Sequence, residues 1–256
     1  VVIVMRLCRK CQTTTFKPSC PNCGSATILE KLCPKCARNL EKDECPVCKV
    51  KAKSSGSQSV PLKVLVDEAC DKVGFMPDQI KGVKGLTNRA KIPEPVEKGV
   101  LRAKHKLSVY KDGTVRFDAT NAPLTHFKPS EIGVSIQRLR ELGYLHDYLG
   151  NSLLNPDQIC ELKVQDIIIS SKSVPYLIST ANFIDDLLQK VYGLPAFYKA
   201  SRPEDLVGLI VIGLAPHTCA GILGRIIGFS KLNVCFAHPL WHSAKRRDCD
   251  GDEDCI

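Results

Sequence analysis

Polar and apolar positions along the chain change their period several times, and each change marks an element. From Leu62 to Val73 apolar side chains recur at helical spacing and Gly74 follows, which predicts an amphipathic helix closed by glycine. Gly82, Gly85, Pro93 and Pro95 then break the chain up. Leu107–Tyr110 and Thr114–Phe117 flank Lys111-Asp112-Gly113, a hairpin signal. Ser130 is placed to cap a helix carrying Ile132, Ile136, Leu139 and Leu142 on one side, with Gly143 after it. Val164 to Ile169 reads as a strand. Val174 to Tyr192 reads as a helix with Pro175 in its first turn and with Asp185 and Asp186 toward solvent. The unbroken apolar run Leu206 to Leu214 predicts a buried strand, and glycine-spaced Cys219 to Phe229 a helix packed under a sheet. A further strand then delivers the acidic end of the chain.

The first fifty or so residues follow none of these periods. They contain almost no large apolar side chains but four Cys-x-x-Cys pairs, Cys8/Cys11, Cys20/Cys23, Cys33/Cys36 and Cys45/Cys48, separated by eight, nine and eight residues. Two cysteines two residues apart converge on one ion from a tight knuckle, and two knuckles complete a tetrahedral zinc site with no open position, so a structural role is expected. Sequential pairing is the simplest, and an interleaved arrangement stays open. Such a segment does not fold on apolar burial alone and draws its stability from the metal. Lys51 to Ser59 is small and polar and reads as a flexible linker. The expected organisation is two four-cysteine modules over 1–53, a linker over 54–59, a basic α+β region with a hairpin over 60–150, and a final unit over 151–256.

Composition adds limits. Fourteen cysteines without a secretory signal point to metal binding in a reducing compartment rather than to disulfides. The formal charge of +9 counts cysteines as neutral; two zinc-held thiolate quartets bring it to about +5, still compatible with a polyanionic partner. No apolar run approaches a membrane span. Lys104, His105, Lys106, Arg116, His126 and Lys128, interleaved with Tyr110, Phe117 and Phe127, fit a nucleic-acid surface, although a hairpin core with a solvated edge accounts for them somewhat better.

The chemistry concentrates in the last dozen residues, where Lys245, Arg246 and Arg247 run into Asp248, Asp250 and Asp252 at every second position. In an extended chain the three carboxylates share one face about 6 to 7 Å apart, and each like-charge pair costs about 2 to 3 kcal/mol at an effective dielectric near 20. Read by itself such a cluster is more often a solvated acidic turn beside a basic run; the sharper reading is that a hard divalent ion such as magnesium offsets the repulsion, with the preceding basic residues placed for phosphate oxygens. An EF-hand does not fit, because Gly251 is fourth from Asp248 and no glutamate stands twelfth. His238 and His242 stand four apart like a metal pair, but Pro239 disfavours a helix across them, so both are taken as candidate phosphate contacts.

His238-Pro-Leu-Trp-His-Ser-Ala-Lys-Arg-Arg247 followed by Asp-Cys-Asp-Gly-Asp-Glu-Asp resembles the catalytic segment of the large subunit of archaeal family D DNA polymerase. Gly99 to His105, Asp112 to Asp118 and Leu124 to Pro129 resemble the same subunit. The Asp-x-Asp-Gly-Asp core is also similar to the magnesium loop of multisubunit RNA polymerases. One departure is Asp248, a position where the family usually carries asparagine. The resemblance implies a mixed α+β chain: a double zinc-ribbon-like module followed by part of a double-psi β-barrel in a two-barrel polymerase core. It implies Asp250 and Asp252 as magnesium ligands, with Asp248 beside them, and template-directed DNA synthesis from primer-template DNA and dNTPs. It further implies a small exonuclease subunit giving 3′-5′ proofreading, a sliding clamp, and a cytoplasmic, nucleoid-associated setting. The chain reads as an excerpt of a longer subunit, inactive alone, whose other barrel precedes Val1. Two alternatives remain: a non-catalytic zinc-containing nucleic-acid-binding or subunit-docking module, and an RNA polymerase relative.

Overall fold

The computed structural model describes residues 1–80, 82, 91–110, 114–218 and 220–256. Backbone contacts divide it into two compact units, one of residues 1–104 with 109–114, the other of residues 105–108 with 115–256. The expected turn at Lys111 to Gly113, the breaker Gly85 and Cys219 lie outside the described residues.

In the first unit, strand β1 (Val2–Val4) is followed by β2 (Arg6–Cys8), β3 (Thr14–Thr15) and β4 (Thr27–Leu29), with β5 (Ser55–Ser57) closing the cysteine-rich stretch. β2 lies between β3 and β4, antiparallel to both, and β1 pairs antiparallel with β5. Residues 55–57, expected to be a flexible linker, are therefore a strand. Their small side chains are no obstacle, because the pairing uses backbone N–H and C=O groups. Helix α1 (Leu62–Val73) has the expected bounds, and Gly74 ends it at φ 69° with its N–H on the carbonyls of Cys70 and Asp71. It packs against α2 (Val96–Lys104), burying Ala69, Cys70 and Val73 near Val100 and Leu101. Arg102, also buried, is ion-paired with Glu94.

The hairpin flanks are not strands. The Tyr110 N–H donates to the Thr114 carbonyl at 3.2 Å, and Leu107 is fully buried. Phe117 instead exchanges two backbone bonds with Ile256 and leads into β6 (Asp118–Pro123). Phe127, in the short strand β7 (His126–Phe127), is buried edge-on against Tyr144. Phe117 packs on the sheet core, so two of the three aromatics proposed for stacking are core residues.

The single helix expected after Ser130 is two, α3 (Pro129–Ile132) and α4 (Ile136–Glu141). Gly133 at φ 67° breaks them apart, and Ser135 rather than Ser130 caps the second, its Oγ accepting from the Arg138 N–H. Strand β8 (Cys160–Glu161) pairs with β7, and β9 (Asp166–Ser170) is buried at every position. Helix α5 (Val174–Asp186) continues as a π-helical turn over Leu187–Tyr192, closed by Gly193. Asp185 and Asp186 do not face solvent. Asp185 is buried and accepts the N–H groups of Phe197, Tyr198 and Lys199 at 2.6 to 2.9 Å, while Asp186 meets His105 at 2.8 Å and Lys190 at 3.6 Å. Loop amides that turn away from regular structure need an acceptor, and a carboxylate supplies one.

Helix α6 (Pro203–Leu206) precedes β10 (Ile210–Gly213), so the expected buried strand over Leu206–Leu214 is helical at its start, and Ile210 and Ile212 are more than half exposed. The glycine-spaced segment is a strand, β11 (Ile222–Ser230), not a helix. It runs parallel to β9 with a register shift between Ile226 and Gly228. Its glycines serve close approach across the sheet: a Cβ on Gly228 would sit 2.8 Å from Ile132 Cβ, and one on Gly224 3.2 Å from the Trp241 ring. β12 (Val234–Ala237), α7 (Pro239–Ala244) and β13 (Glu253–Cys255) complete the chain. The helix forms across His238 and His242 after all, because Pro239 takes its first position, where no amide is missed.

The main sheet has six strands in the order β10-β11-β9-β12-β6-β13, with β11/β9 and β12/β6 parallel and the other pairs antiparallel. It curls until Leu214, just past β10, exchanges two backbone bonds with Cys255 of β13, so residues at opposite edges of the sheet meet. Ala119, Ile167, Ile169, Ile226, Cys235, Ala237 and Trp241 form a core against it. No helix among the described residues is long and apolar enough to cross a membrane.

Candidate active site

Two clusters of sulfur ligands are built in the first unit. The sulfurs of Cys8, Cys11, Cys20 and Cys23 lie within 4.8 Å of one another, as do those of Cys33, Cys36, Cys45 and Cys48. The pairing is sequential, not interleaved. All four knuckles repeat one turn: the N–H of Gln12, Gly24, Ala37 or Lys49 donates to the carbonyl of the first cysteine at 2.9 to 3.0 Å. Each of those four residues, directly after the second cysteine, is left-handed, at φ 59°, 69°, 53° and 51°. Three lack a glycine's freedom, so the knuckles hold local strain that a bound ion offsets.

The sulfurs titrate unevenly. Hydrogen bonds from Ser25 bring Cys23 down to about 6, and the amide of Cys36 does the same for Cys33, also to about 6. Cys48 is pushed up to about 12 by the neighbouring Cys36 sulfur and by burial. Four sulfurs this close do not all carry charge without a cation among them. Soft thiolates in a closed tetrahedral set of four fit zinc, and such a site has no open position for chemistry.

The acidic end lies in the second unit. α7 brings His238, Trp241, His242 and Lys245 together; a bent loop carries residues 246–252; β13 takes the chain back into the sheet. His238 is the N-cap of α7, its Nδ1 accepting the Leu240 N–H at 3.2 Å. Gly251 sits at φ 112°, a conformation that favours glycine, and Arg246 is also left-handed at 61°. The loop is therefore not extended, and the alternation that would put Asp248, Asp250 and Asp252 on one face does not survive it. Among the described residues the two cysteine quartets are the only groups of three or more metal-type ligands that converge, so the three carboxylates do not form one ready cage. Asp248 and Asp250 are exposed; Asp252 is half-exposed, with Oδ2 3.2 Å from Arg247 Nη1.

Of the five expected phosphate contacts, Arg246 is exposed and Arg247 and His238 are half-buried. Lys245 and His242 are not available. The Lys245 side chain is fully buried, ion-paired to Asp254, 3.1 Å from Asn121 Oδ1 and 4.0 Å from the Trp241 ring centre. His242, also buried, meets the Ala122 carbonyl at 3.2 Å through Nε2 and leaves Nδ1 unbonded; burial, then the nearby Lys245 charge, holds its pKa below the ordinary value. Their side chains lie on the inner side of a short helix, and the linear sequence does not reveal which side that is.

Asp254 and Asn121 were not singled out in the sequence. Asp254 continues the every-second-residue acidic series, yet it is buried; one oxygen takes Lys245 and the other Arg247 Nε at 3.2 Å. Its signal was the apolar pair Cys255-Ile256 behind it, which marks a strand entering the core.

Fold and site together define a mixed α/β protein with two four-cysteine clusters that could hold zinc and a separate loop of oxygen donors. Residues 74–256 match the catalytic-domain model of the DNA polymerase II large subunit DP2, and the chain belongs to that family. It is 52% identical over 258 residues to the DNA polymerase II large subunit of Archaeoglobus fulgidus, covering 100% of this chain and 23% of that protein. The protein of the same name from Pyrococcus furiosus is 56% identical over 210 residues, covering 82% of this chain and 17% of the relative. That of Methanothermobacter thermautotrophicus is 45% identical over 250 residues, covering 97% and 21%. The chain thus spans less than a quarter of the length of these curated relatives.

Proposed function

We propose that this chain carries the acidic half of the nucleotidyl-transfer site of a DNA-directed DNA polymerase, with Asp250 and Asp252 as the carboxylates that hold magnesium. The observation that carries the reading is the exposed Asp250-Gly251-Asp252 turn, presented between α7 and β13 in a chain whose relatives are named DNA polymerase II large subunit. The donors fit the ion: hard carboxylate oxygens at the surface, with room left for water and phosphate. Magnesium there supplies charge neutralisation and Lewis acidity at the reacting phosphate.

The chain's own residues bind and orient. Arg246, exposed, and Arg247 and His238, half-buried, flank the turn in the chain and offer donors to phosphate oxygens of DNA or dNTP. In the reaction the primer 3′ hydroxyl gives up its proton to solvent as its oxygen bonds to the α-phosphorus and the bond to pyrophosphate breaks. Asp248, exposed two residues before Asp250, is a neighbour available to a second cation. The six-stranded sheet whose edges meet at Leu214 and Cys255 is consistent with a double-psi β-barrel. The two zinc modules then serve as rigid docking pieces for DNA, the small exonuclease subunit or the sliding clamp.

The test is primer extension by the full-length large subunit with its small subunit, in magnesium, with deoxy- and ribonucleotides. Asp250→Ala and Asp252→Ala should each lose about a thousandfold in extension with DNA binding kept, since several kcal/mol of transition-state stabilisation leave with the ion. Unchanged extension would leave a binding module without chemistry. Preference for ribonucleotides would point to RNA synthesis instead.

A further inference from the structure

The acidic loop is tied at both ends by a chain of polar contacts that its surface carboxylates do not explain. Lys245, the last residue before the loop turns away from α7, has no solvent exposure, and neither in practice has its partner Asp254, whose side chain is 1% exposed in β13. Lys245 Nζ is satisfied on three sides, by the Asp254 carboxylate, by Asn121 Oδ1 at 3.1 Å and by the face of Trp241 at 4.0 Å. The same Asn121 reaches the loop itself, because its backbone N–H donates to the Asp252 carbonyl at 2.9 Å. Asp254 uses its second oxygen on Arg247 Nε at 3.2 Å, and Arg247 Nη1 reaches the Asp252 carboxylate, also at 3.2 Å. Asp252 is therefore held twice, at its backbone through Asn121 and at its side chain through Arg247, and both holds lead back to the Lys245–Asp254 pair.

A buried pair of this kind adds little net stability over apolar residues of similar volume. What it fixes is geometry: it has one low-energy arrangement, whereas Gly251 and the exposed loop have many. We propose that Lys245 and Asp254 are positioning residues whose buried pair sets the place of the Asp252 carboxylate, acting through Asn121 and Arg247 without touching substrate. The inference rests on the reading of Asp250 and Asp252 as the reacting carboxylates. It also assigns Arg247 two duties: Nε stays on Asp254, while Nη1 is shared between Asp252 and any phosphate that comes within reach.

The variants are Lys245→Met, Lys245→Arg and the double change Lys245→Met with Asp254→Leu, in the full-length large subunit with its small subunit. Asp250→Ala is the control. Primer extension is measured across magnesium concentrations, beside DNA affinity and the thermal midpoint. Lys245→Met should lower maximal extension about a hundredfold, the usual effect of a misplacement near 1 Å, and should raise the magnesium needed for half-maximal rate while DNA affinity holds. Lys245→Arg should recover part of the rate. The double variant should regain the thermal midpoint yet keep the catalytic and magnesium defects, which a merely structural pair would not do. Normal extension by the double variant with Asp250→Ala inactive overturns the positioning role alone. Normal extension by Asp250→Ala overturns the polymerase-site reading beneath it. Unfolding of every Lys245 variant also overturns the proposal, since the pair would then carry the fold rather than the loop.

Discussion

Arg225 grips Asp166 with two nitrogens, Nε and Nη2, each 2.7 Å from a different carboxylate oxygen, across the parallel strands β11 and β9. The buried Tyr144 hydroxyl donates to the same Asp166 at 2.6 Å, and burial together with that carboxylate pushes the phenol above its ordinary pKa. Replacing Arg225 by methionine would strand a buried carboxylate beside a phenol that cannot neutralise it. The second unit should lose about 3 kcal/mol, read as a lower denaturation midpoint. Asp166→Asn added to Arg225→Met should recover part of the loss.

The close approach at Gly228 gives a second expectation. Gly228→Ala would put a methyl group 2.8 Å from Ile132 Cβ and Cδ1, so either β11 or α3 must move. Overpacking of this kind costs about 1 to 3 kcal/mol. Because the closest atom is the Ile132 Cβ, which alanine would keep, the partner change is Ile132→Gly: in that background Gly228→Ala should cost clearly less than beside Ile132, and an unchanged cost in the double-mutant cycle would refute this contact as the cause.

His242 makes stability depend on pH with a definite sign. Its folded pKa lies below the ordinary 6.5, so below that pH the unfolded chain binds the proton more readily. Its contribution is therefore complete above 6.5 and is lost as pH falls through the depressed folded value. Denaturation midpoints from about pH 7.5 to about pH 5 should fall more for the wild type than for His242→Gln, a comparison that cancels proton competition at the cysteine quartets. Equal slopes would show that His242 does not titrate differently on folding.

Removal of zinc should unfold residues 1–53 by itself. With exhaustive chelation, limited proteolysis should cut between the knuckles while fragments from 115–256 persist, because that unit has its own apolar core. Persistent protection of 1–53 in metal-free protein would mean the knuckles stand without an ion.

The cysteine knuckles were legible because their information is local: a two-residue gap, a turn residue and a regular repeat are all within one short stretch. The helix Leu62–Val73 was legible for the same reason, its period and its closing glycine both lying within one turn or so of the residues they govern. Glycine at 224 and 228 carried no such local meaning. A glycine-spaced apolar run suits a packed helix and a strand under close neighbours equally well, and only the side chains of Ile132, Ile167 and Trp241 decide between them.

The acidic end divides the same way. Its residue types, carboxylates beside arginines at the surface of a turn, follow from the sequence alone, as does the family resemblance that they carry. Which carboxylate faces solvent does not. Asp250 and Asp254 belong to one alternating series, yet the first is exposed and the second is sealed against Lys245, because the chain bends at Gly251 between them and β13 then pairs with β6. Sequence by itself determined the chemistry on offer, since that depends on which groups are covalently near one another. Tertiary structure alone decided which groups are spent inside, since burial and ion pairing depend on strands more than a hundred residues away coming alongside.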